Sequence, residues 1–460
     1  MRGRHWGVFW ACMGAVFLVT MDATLQPLAL AGIREDFGAG LTSTAWVLSA
    51  YAISLAAFVV AAGRIADRSG RKRAFLLGLA LFVTGAVGGW WAPELWVLVL
   101  CRAVQGAGSA FVMPASIGLI LAVWPESDQT RAITSWTAVG GVAGALAPLV
   151  GGGLIDVWGW RAAYVLSVII GVPSFLLARA LLTDTEHKAA SRFPDLVGAA
   201  LVAAGLGMVT LSLVQGRTWG WGDRRIVAAF ALAVVLVPLI RLRIRGHPAP
   251  IVDPRLLGLR NFRWALFIAV AIPGFLFPYF VMMVQFLELV WDYRPLQAGF
   301  ALLPFPAAAV VASALAGQFS RRLDERTITV AAMSMTTAAV VWLRLVPDSD
   351  PAYWSEMFVP ILLGGIGGWG MGLPMINAIG ARDLDNETYS LGMGVLSTAR
   401  QVGALMGLAM AFGLLGNVEE AELFGRFHQV WTVLVVLSVL GVAVALLIPR
   451  RARTQPSARM

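Results

Sequence analysis

The sequence predicts an all-α polytopic membrane protein, and three observations support this. Of the 460 residues, 58% are hydrophobic and only 13% are charged. The apolar segments repeatedly reach the roughly 20 residues that a helix needs to cross a hydrocarbon core. Short polar or basic connections separate these segments, as in a chain that crosses a bilayer many times. We count fourteen spans, over residues 7–31, 45–66, 74–92, 95–123, 132–155, 161–182, 194–215, 225–241, 264–290, 296–319, 327–346, 354–379, 389–416 and 429–449.

Basic residues collect in the connections on one side of the predicted membrane. An even number of spans places both termini on the same side. That side carries Arg64, Arg68, Arg71, Lys72, Arg73, Arg241, Arg243, Arg245, Arg255, Arg260, Arg263, Arg321, Arg322, Arg450, Arg451 and Arg453. Because cytoplasmic loops hold the excess of Lys and Arg, both termini are predicted to be cytoplasmic. The net charge of +9 therefore reflects membrane topology and does not indicate a nucleic-acid partner.

Two polar connections divide the chain. Residues 183–193 and 242–263 are polar, basic segments that bracket a pair of nearly apolar spans. We therefore predict an N-terminal six-helix bundle in residues 1–183, an inserted helix pair with its linkers in residues 184–260, and a C-terminal six-helix bundle with a basic tail in residues 261–460. Two six-helix bundles around a central site are the layout of transporters that rock between two conformations.

Two ionisable residues, Asp22 and Arg102, lie deep inside apolar spans. An unpaired charge at that depth costs at least a few kcal/mol, so Arg102 needs a partner or water. A proton-coupled transporter needs a buried group whose protonation changes as its access changes sides. Asp22 is our candidate for that group, with Arg102 as its modulator; the alternative is a static ion pair. The helical face of Arg102 also presents Gln105, Ser109, Met113 and Ser116.

The connection between the second and third spans combines glycines with charges. Its residues of interest are Gly63, Asp67, Arg68, Gly70, Arg71 and Lys72. The glycines permit a tight turn, and the Asp67 carboxylate can accept hydrogen bonds from helix N-termini or from the neighbouring arginines. The segment is either a charge latch between the two bundles or an ordinary basic cytoplasmic loop.

Small residues recur at near-helical spacing in the fifth span, at Gly140, Gly144, Pro148, Gly151 and Gly152. They form a smooth, kinkable face against which another helix can pack closely. Polar and aromatic residues inside other spans are candidates for lining a substrate cavity. These are Gln26, Trp46, Tyr51, Gln105, Gln285, Glu288, Arg400 and Gln401.

The alternatives for these cavity candidates are structural. Arg400 either meets an acidic partner or extends towards the cytoplasmic interface. Glu288 either lines an outer vestibule or is a solvated helix end. For Phe275, Phe277, Phe280 and Phe286 of the ninth span, and for Trp46 and Tyr51, we favour interfacial or lipid contact over substrate contact.

Several of these stretches resemble motifs of the major facilitator family. Gly63 to Arg73 is similar to its motif G-x-L-A-D-R-x-G-R-K, and Leu98 to Ala110 to its fourth-span motif, whose arginine is implicated in proton transfer. The glycine face of the fifth span resembles the antiporter motif of drug exporters, with Ala147 in place of the usual glycine. Met21 to Leu30 resembles the D-A-T-I-V-N-V-A-L-P signature of fourteen-span drug:proton antiporters, with Pro27 in place of Asn. Stretches starting at Arg294, Gly370 and Gly394 resemble the same subfamily.

The resemblance implies a proton-coupled exporter of drugs, antibiotics or other amphipathic compounds, working by alternating access. We expect the proton gradient as its energy source with no cofactor, a monomer in the bilayer, and a bacterial inner membrane. A dedicated exporter of one metabolite, a proton-driven importer and a non-transporting sensor or scaffold remain alternatives. Enzyme chemistry is not expected, because the sequence has no P-loop and no Cys/His metal spacing, and Cys12 and Cys101 lie inside apolar spans.

Overall fold

The computed structural model describes residues 2–124, 128–183, 195–247, 252–320, 323–382, 384, 389–417 and 420–448. Within these ranges the chain is built from helices: α1 Arg2–Asp36, α2 Leu41–Ser69, α3 Arg71–Trp90, α4 Leu95–Val123, α5 Gln129–Leu146, α6 Gly152–Trp158, α7 Arg161–Leu181, α8 Leu196–Trp219, α9 Arg224–Gly246, α10 Arg260–Leu289, α11 Pro295–Leu302, α12 Pro304–Phe319, α13 Glu325–Leu345, α14 Tyr353–Glu356, α15 Phe358–Gly364, α16 Leu373–Ala381, α17 Tyr389–Leu415 and α18 Glu420–Leu447. Short 3₁₀ and π segments cover Leu256–Gly258, Ala147–Gly151 and Gly365–Gly372.

Fourteen helical spans in this part of the chain are long and apolar enough to cross a membrane. This confirms the predicted all-α polytopic fold with fourteen spans, because each predicted span matches one of them. The ends differ where polar residues continue a helix beyond its apolar run. The first helix continues to Asp36, and the last begins at Glu420, nine residues before the predicted position 429.

Two spans contain π-helical turns that the hydrophobic pattern does not reveal. The fifth span runs from α5 through Ala147–Gly151 into α6, and the twelfth runs from α15 through Gly365–Gly372 into α16. In the first case Pro148 has no N–H to donate, so the helix widens at that turn. Such wide turns are frequent at functional sites.

Consecutive spans alternate in direction, so α1 begins and α18 ends on the same side, which we call the termini side. The opposite side is the far side. Spans one to six (α1–α7) and nine to fourteen (α10–α18) form two halves, which meet where α1 contacts α10, α2 contacts α17, and α5 and α6 contact α12 and α11. The pair α8 and α9 pack on each other, and α8 touches both α2 and α17. The inserted pair therefore lies against both halves.

The outer surface of the bundle is apolar, as a bilayer requires. In α9, Val234, Val235 and Val237 are more than half exposed, whereas the buried positions include many small residues. Lipid provides no hydrophobic force that drives helices together. Close packing of small residues therefore holds a membrane bundle together. A Cβ added to Gly106 or Gly108 of α4 would collide with backbone atoms of α2 or α3, so these glycines set the close approach of the three helices.

Candidate functional site

A buried ion pair joins α1 to α4 inside the first half. The Arg102 guanidinium donates from Nη1 to Asp22 Oδ2 at 2.7 Å, and the two side chains are 1% and 0% exposed. Arg102 also donates to Gln105 Oε1 at 2.8 Å and, through Nε, to the Val47 carbonyl of α2 at 3.2 Å. The buried guanidinium of Arg102 therefore has hydrogen-bond partners on three helices, α1, α2 and α4.

A second layer of polar groups fixes the Asp22 carboxylate. Gln26, one turn after Asp22 on α1, donates from Nε2 to Asp22 Oδ1 at 3.0 Å. The Tyr164 hydroxyl of α7 donates in turn to Gln26 Oε1 at 3.1 Å. The Arg102 guanidinium lies 4.5 Å from the centre of the Tyr51 ring, a distance at which a cation is attracted to the ring face. We call Asp22, Arg102, Gln26 and Gln105 the charged centre.

Tyr164 and Val47 are members of this network that sequence reasoning missed. A signal for Tyr164 exists, because Tyr164, Ser167, Gly171 and Ser174 are all buried and recur at helical spacing on α7. Such a stripe of small and polar residues marks a face packed against other helices. No comparable signal exists for Val47, because its contribution is a backbone carbonyl that any residue provides.

The hydrogen bonds of the charged centre depend on the charge of Asp22. In this arrangement both carboxylate oxygens of Asp22 accept hydrogen bonds, which is the pattern of an ionised carboxylate. A proton on Asp22 would remove the charge that holds Arg102. Gln105 Nε2 is buried and has no hydrogen-bond partner within the described residues. It is therefore a donor whose hydrogen-bonding capacity is unused within this part of the chain.

The second half places its charged candidates differently. Arg400 of α17 donates from Nη1 to the amide oxygen of Asn377 in α16 at 2.7 Å. Asn377 is a further residue that sequence reasoning missed. Gln401 and Trp46 are partly buried, and the structure does not bring either into the charged centre.

Gln285 and Glu288 lie near the far end of α10 and are both buried. Gln285 Nε2 donates to the Pro27 carbonyl of α1 at 3.0 Å and approaches Glu288 Oε2 at 3.4 Å. Glu288 is 7% exposed, so the solvated helix end considered from the sequence is wrong for this conformation.

The predicted glycine face of the fifth span divides between two neighbours. Built Cβ atoms on Gly140, Gly144 and Gly151 would face Thr20, Thr24 and Leu25 of α1, the helix that carries Asp22. A Cβ on Gly152 would instead lie 2.6 Å from the Pro295 carbonyl oxygen of α11, and the Pro148 carbonyl faces Gly299 of the same helix. The small residues of the fifth span therefore contact both α1, which carries Asp22, and α11 of the second half.

The cations of the connection between α2 and α3 contact helices of the first half. Gly70 turns the chain with φ of 100°, a conformation that favours glycine. Arg71 donates to the Gly118 carbonyl of α4 at 2.8 Å. Lys72 donates to the carbonyls of Arg179 and Leu182 at the end of α7, where a cation also complements the helix dipole. The Asp67 side chain lies outside the described residues, Arg68 is exposed, and Gly63 has open space around it.

The predicted lipid or interfacial contact is wrong for Phe275, Phe280 and Phe286 of the ninth span, whereas Phe277 and Trp46 are partly buried. Phe275, Phe280 and Phe286 are at most 5% exposed, and Phe280 packs against Phe305 and Trp369 at centroid distances of 5.2 and 6.0 Å. Tyr51 is likewise buried. The reason is that α10 contacts α1, α17 and α18 along its length and has little lipid-facing surface.

Comparison with curated proteins finds relatives that match this chain over most of its length and most of theirs. Multidrug resistance protein Stp of Mycobacterium tuberculosis is 29% identical over 415 residues, which are 89% of this chain and 74% of that protein. The cephamycin export protein CmcT of Amycolatopsis lactamdurans is 29% identical over 450 residues, covering 96% of this chain and 92% of that protein. Puromycin resistance protein pur8 of Streptomyces alboniger is 30% identical over 411 residues, covering 88% and 81%.

Solved structures and a family model each match most of this chain. A peptide transporter in complex with sulfate superposes with a TM-score of 0.67 at 12% identity, covering 96% of this chain and 94% of that chain. The human organic anion transporter MFSD10 superposes with a TM-score of 0.64 at 14% identity, covering 96% and 99%. At such identities the likeness shows the fold alone. Since the family model matches residues 12–408, the chain belongs to the Major Facilitator Superfamily and is a multi-pass membrane transporter rather than an enzyme.

Proposed function

We propose that this transporter exports small amphipathic compounds, such as drugs or antibiotics, across the cytoplasmic membrane in exchange for protons. The observation that carries the proposal is the buried Asp22–Arg102 pair, in which Gln26 donates to Asp22 while Gln105 and the Val47 carbonyl accept from Arg102. The printed names of the relatives, which are drug resistance and antibiotic export proteins, support a drug-like substrate.

Coupling follows from the charge balance of the centre. With Asp22 ionised, Arg102 is neutralised and the two helices α1 and α4 are held together. Protonation of Asp22 leaves Arg102 without its counter-ion in a site of low polarity, which favours a conformation with different access. A proton gradient therefore drives the cycle, and no organic cofactor or metal is needed. A cationic or polar substrate that contacts Asp22 or Gln105 competes with this pairing.

The proposal also assigns sides. The termini side is cytoplasmic, in agreement with its basic connections, and the far side faces outward. Both halves of one chain supply the complete fold, so the working unit is a monomer. In the conformation described above, Gln285 and Pro27 join the halves towards the far side, and a substrate therefore leaves only after this contact opens.

The experiment that tests the function measures proton flux in liposomes. Purified protein is reconstituted with an internal pH dye, a pH gradient is imposed, and a panel of cationic and neutral amphipathic drugs is added. Wild type is compared with Asp22→Asn and with the control Asp36→Asn. Asp36 lies on the same helix but is 43% exposed and pairs with Arg161 at 2.5 Å on the far side.

We expect drug-dependent proton flux in wild type and in Asp36→Asn, and none in Asp22→Asn. If no compound moves protons through folded wild type, multidrug antiport is contradicted. A narrow metabolite exporter or a non-transporting membrane protein would then take its place.

A further inference from the structure

Glu288 is a buried carboxyl group without a counter-ion. It lies in the last turn of α10, is 7% exposed, and its Oε2 is 3.4 Å from Gln285 Nε2. Its Oε1 is buried and has no hydrogen-bond partner among the described residues. Across the same part of the chain no lysine, arginine or histidine forms an ion pair with it. Asp22, by contrast, has a guanidinium 2.7 Å away.

Among the described residues, no cation lies within ion-pair distance of the Glu288 carboxyl group. The charged and titratable groups on the far-side parts of the elements around this end of α10 are Asp22, Arg34, Glu35 and Asp36 of α1, Glu422, Arg426 and His428 of α18, and Asp292, Tyr293 and Arg294 of the connection to α11. Five of them are engaged elsewhere: Asp22 with Arg102, Asp36 with Arg161, Arg426 and Glu422 with each other, and His428 with Arg344. The α11 helix and residues 404–415 of α17 contain no titratable side chain.

An ionised carboxylate in such a place is strongly disfavoured. Burial of an unpaired charge costs far more than burial of a neutral acid, even one whose O–H finds no acceptor among the described residues. The neutral form therefore suits the closed arrangement, and the ionised form suits one in which water reaches the group.

Glu288 also lies at the contact between the halves. Gln285, its neighbour one turn earlier, donates to the Pro27 carbonyl of α1 at 3.0 Å. Pro27 directly follows Gln26, which holds the Asp22 carboxylate. Opening of the two halves at the far side breaks the Gln285–Pro27 contact and admits water to Glu288.

We propose that Glu288 is a second proton-binding site of the transporter, which takes up a proton from the far side before the halves close there. The step is a simple protonation: water on the far side supplies H⁺ to the Glu288 carboxylate, and the neutral acid is then buried as Gln285 meets Pro27. Reopening returns the proton to the same side. This inference rests on the proposed function, in which an outward-facing transporter must bind protons before it returns to the inward-facing conformation.

Two readouts test the site independently of transport. The first is the infrared C=O band of protonated carboxylic acids in purified protein, which loses one contribution in Glu288→Gln. The second is labelling of Thr42→Cys, in a background with Cys12→Ala and Cys101→Ala, by a membrane-impermeant maleimide added from the far side. Thr42 is 1% exposed and contacts Asn417 of the second half, so it reports opening. The control Glu422→Gln removes a carboxylate that is 62% exposed on the same side.

Each labelling rate is divided by the rate at which the same maleimide reacts with free cysteine at that pH, because the thiolate is the reactive form and its fraction rises with pH. In wild type and in Glu422→Gln we expect this relative rate to increase as the far-side pH rises, by up to about tenfold per pH unit where one proton is linked to closure. In Glu288→Gln we expect a low relative rate at every pH. An unchanged infrared band, or unchanged pH dependence of labelling in Glu288→Gln, overturns the second site. Absence of drug-driven proton flux in wild type instead overturns the proposed function, and the infrared and labelling results then decide the Glu288 site by themselves.

Discussion

The two halves of the transporter hold their buried charges in different ways. In the first half Asp22 and Arg102 neutralise each other, and Gln26, Gln105 and the Val47 carbonyl satisfy further donors and acceptors. Deeper within the spans of the second half, Arg400 and Glu288 are on separate sites, Arg400 with an amide oxygen and Glu288 with a distant amide nitrogen. The Arg382–Glu325 ion pair of that half lies at the termini-side ends of α13 and α16.

The difference indicates two uses of a charge in a membrane. A pair that is complete within the protein holds helices together and responds only when a proton or substrate breaks it. A charged group whose partners are all neutral is not neutralised within the protein. An external ion, proton or water is then needed to balance its charge. The four predictions that follow test this comparison.

The largest effect is expected when one member of the Asp22–Arg102 pair is removed. Arg102→Gln leaves a buried carboxylate without its cation, and breaking a buried pair in this way costs about 3–5 kcal/mol of unfolding free energy. The double variant Asp22→Asn with Arg102→Gln recovers most of this stability, whereas drug-driven proton flux stays lost. Unfolding in detergent gives the coupling free energy from the double-mutant cycle. Additive losses would contradict a direct pair.

A somewhat smaller effect is expected at the contact of the fifth span with α11. Gly152→Val places a side chain against the Pro295 carbonyl oxygen, where even a Cβ would lie at 2.6 Å. Overpacking of this kind destabilises the closed state by about 1–3 kcal/mol. The open state is then populated more often, so labelling of Thr42→Cys from the far side should be faster. Gly222→Val is the control, because nothing lies within 4 Å of a Cβ at Gly222; equal labelling of the two variants would count against this contact.

Two buried tyrosines, one in each half, distinguish an effect on unfolding free energy from an effect on proton coupling. Tyr164 donates to Gln26 in the charged centre, and Tyr279 donates to the Pro360 carbonyl in the second half at 2.5 Å. Tyr164→Phe and Tyr279→Phe should each cost about 1 kcal/mol of unfolding free energy. Only Tyr164→Phe should change the pH dependence of proton flux, because only its hydroxyl supports the Asp22 network. A shift in both variants would mean that coupling is not confined to the first half.

The smallest effect on stability is expected at Arg400. Glutamine in its place retains an N–H donor for Asn377 and removes a buried charge, so the unfolding free energy should change by at most about 1 kcal/mol. The same substitution at Arg102 is the comparison. Unfolding of both variants in detergent measures the difference. A loss at Arg400 as large as the one at Arg102 would reveal an acidic partner and remove the contrast between the halves.

The fourteen spans, and the depth of Asp22 and Arg102, were accessible from the sequence because hydropathy is a local property. A charge within an apolar run is visible wherever it occurs, and it demands a partner on energetic grounds alone. The glycines of the fifth span were visible for a similar reason, since small residues at helical spacing mark close packing.

The partners themselves were decided by the tertiary structure. Three features depend on contacts between residues 55 to 258 positions apart. They are the face of α7 that brings Tyr164 to Gln26, the Val47 carbonyl that meets Arg102, and the covering of the end of α10 by α1. The burial of Glu288 and of the α10 phenylalanines has the same origin. Hydropathy reports how apolar a segment is, but only packing between helices determines whether its side chains meet lipid, protein or water.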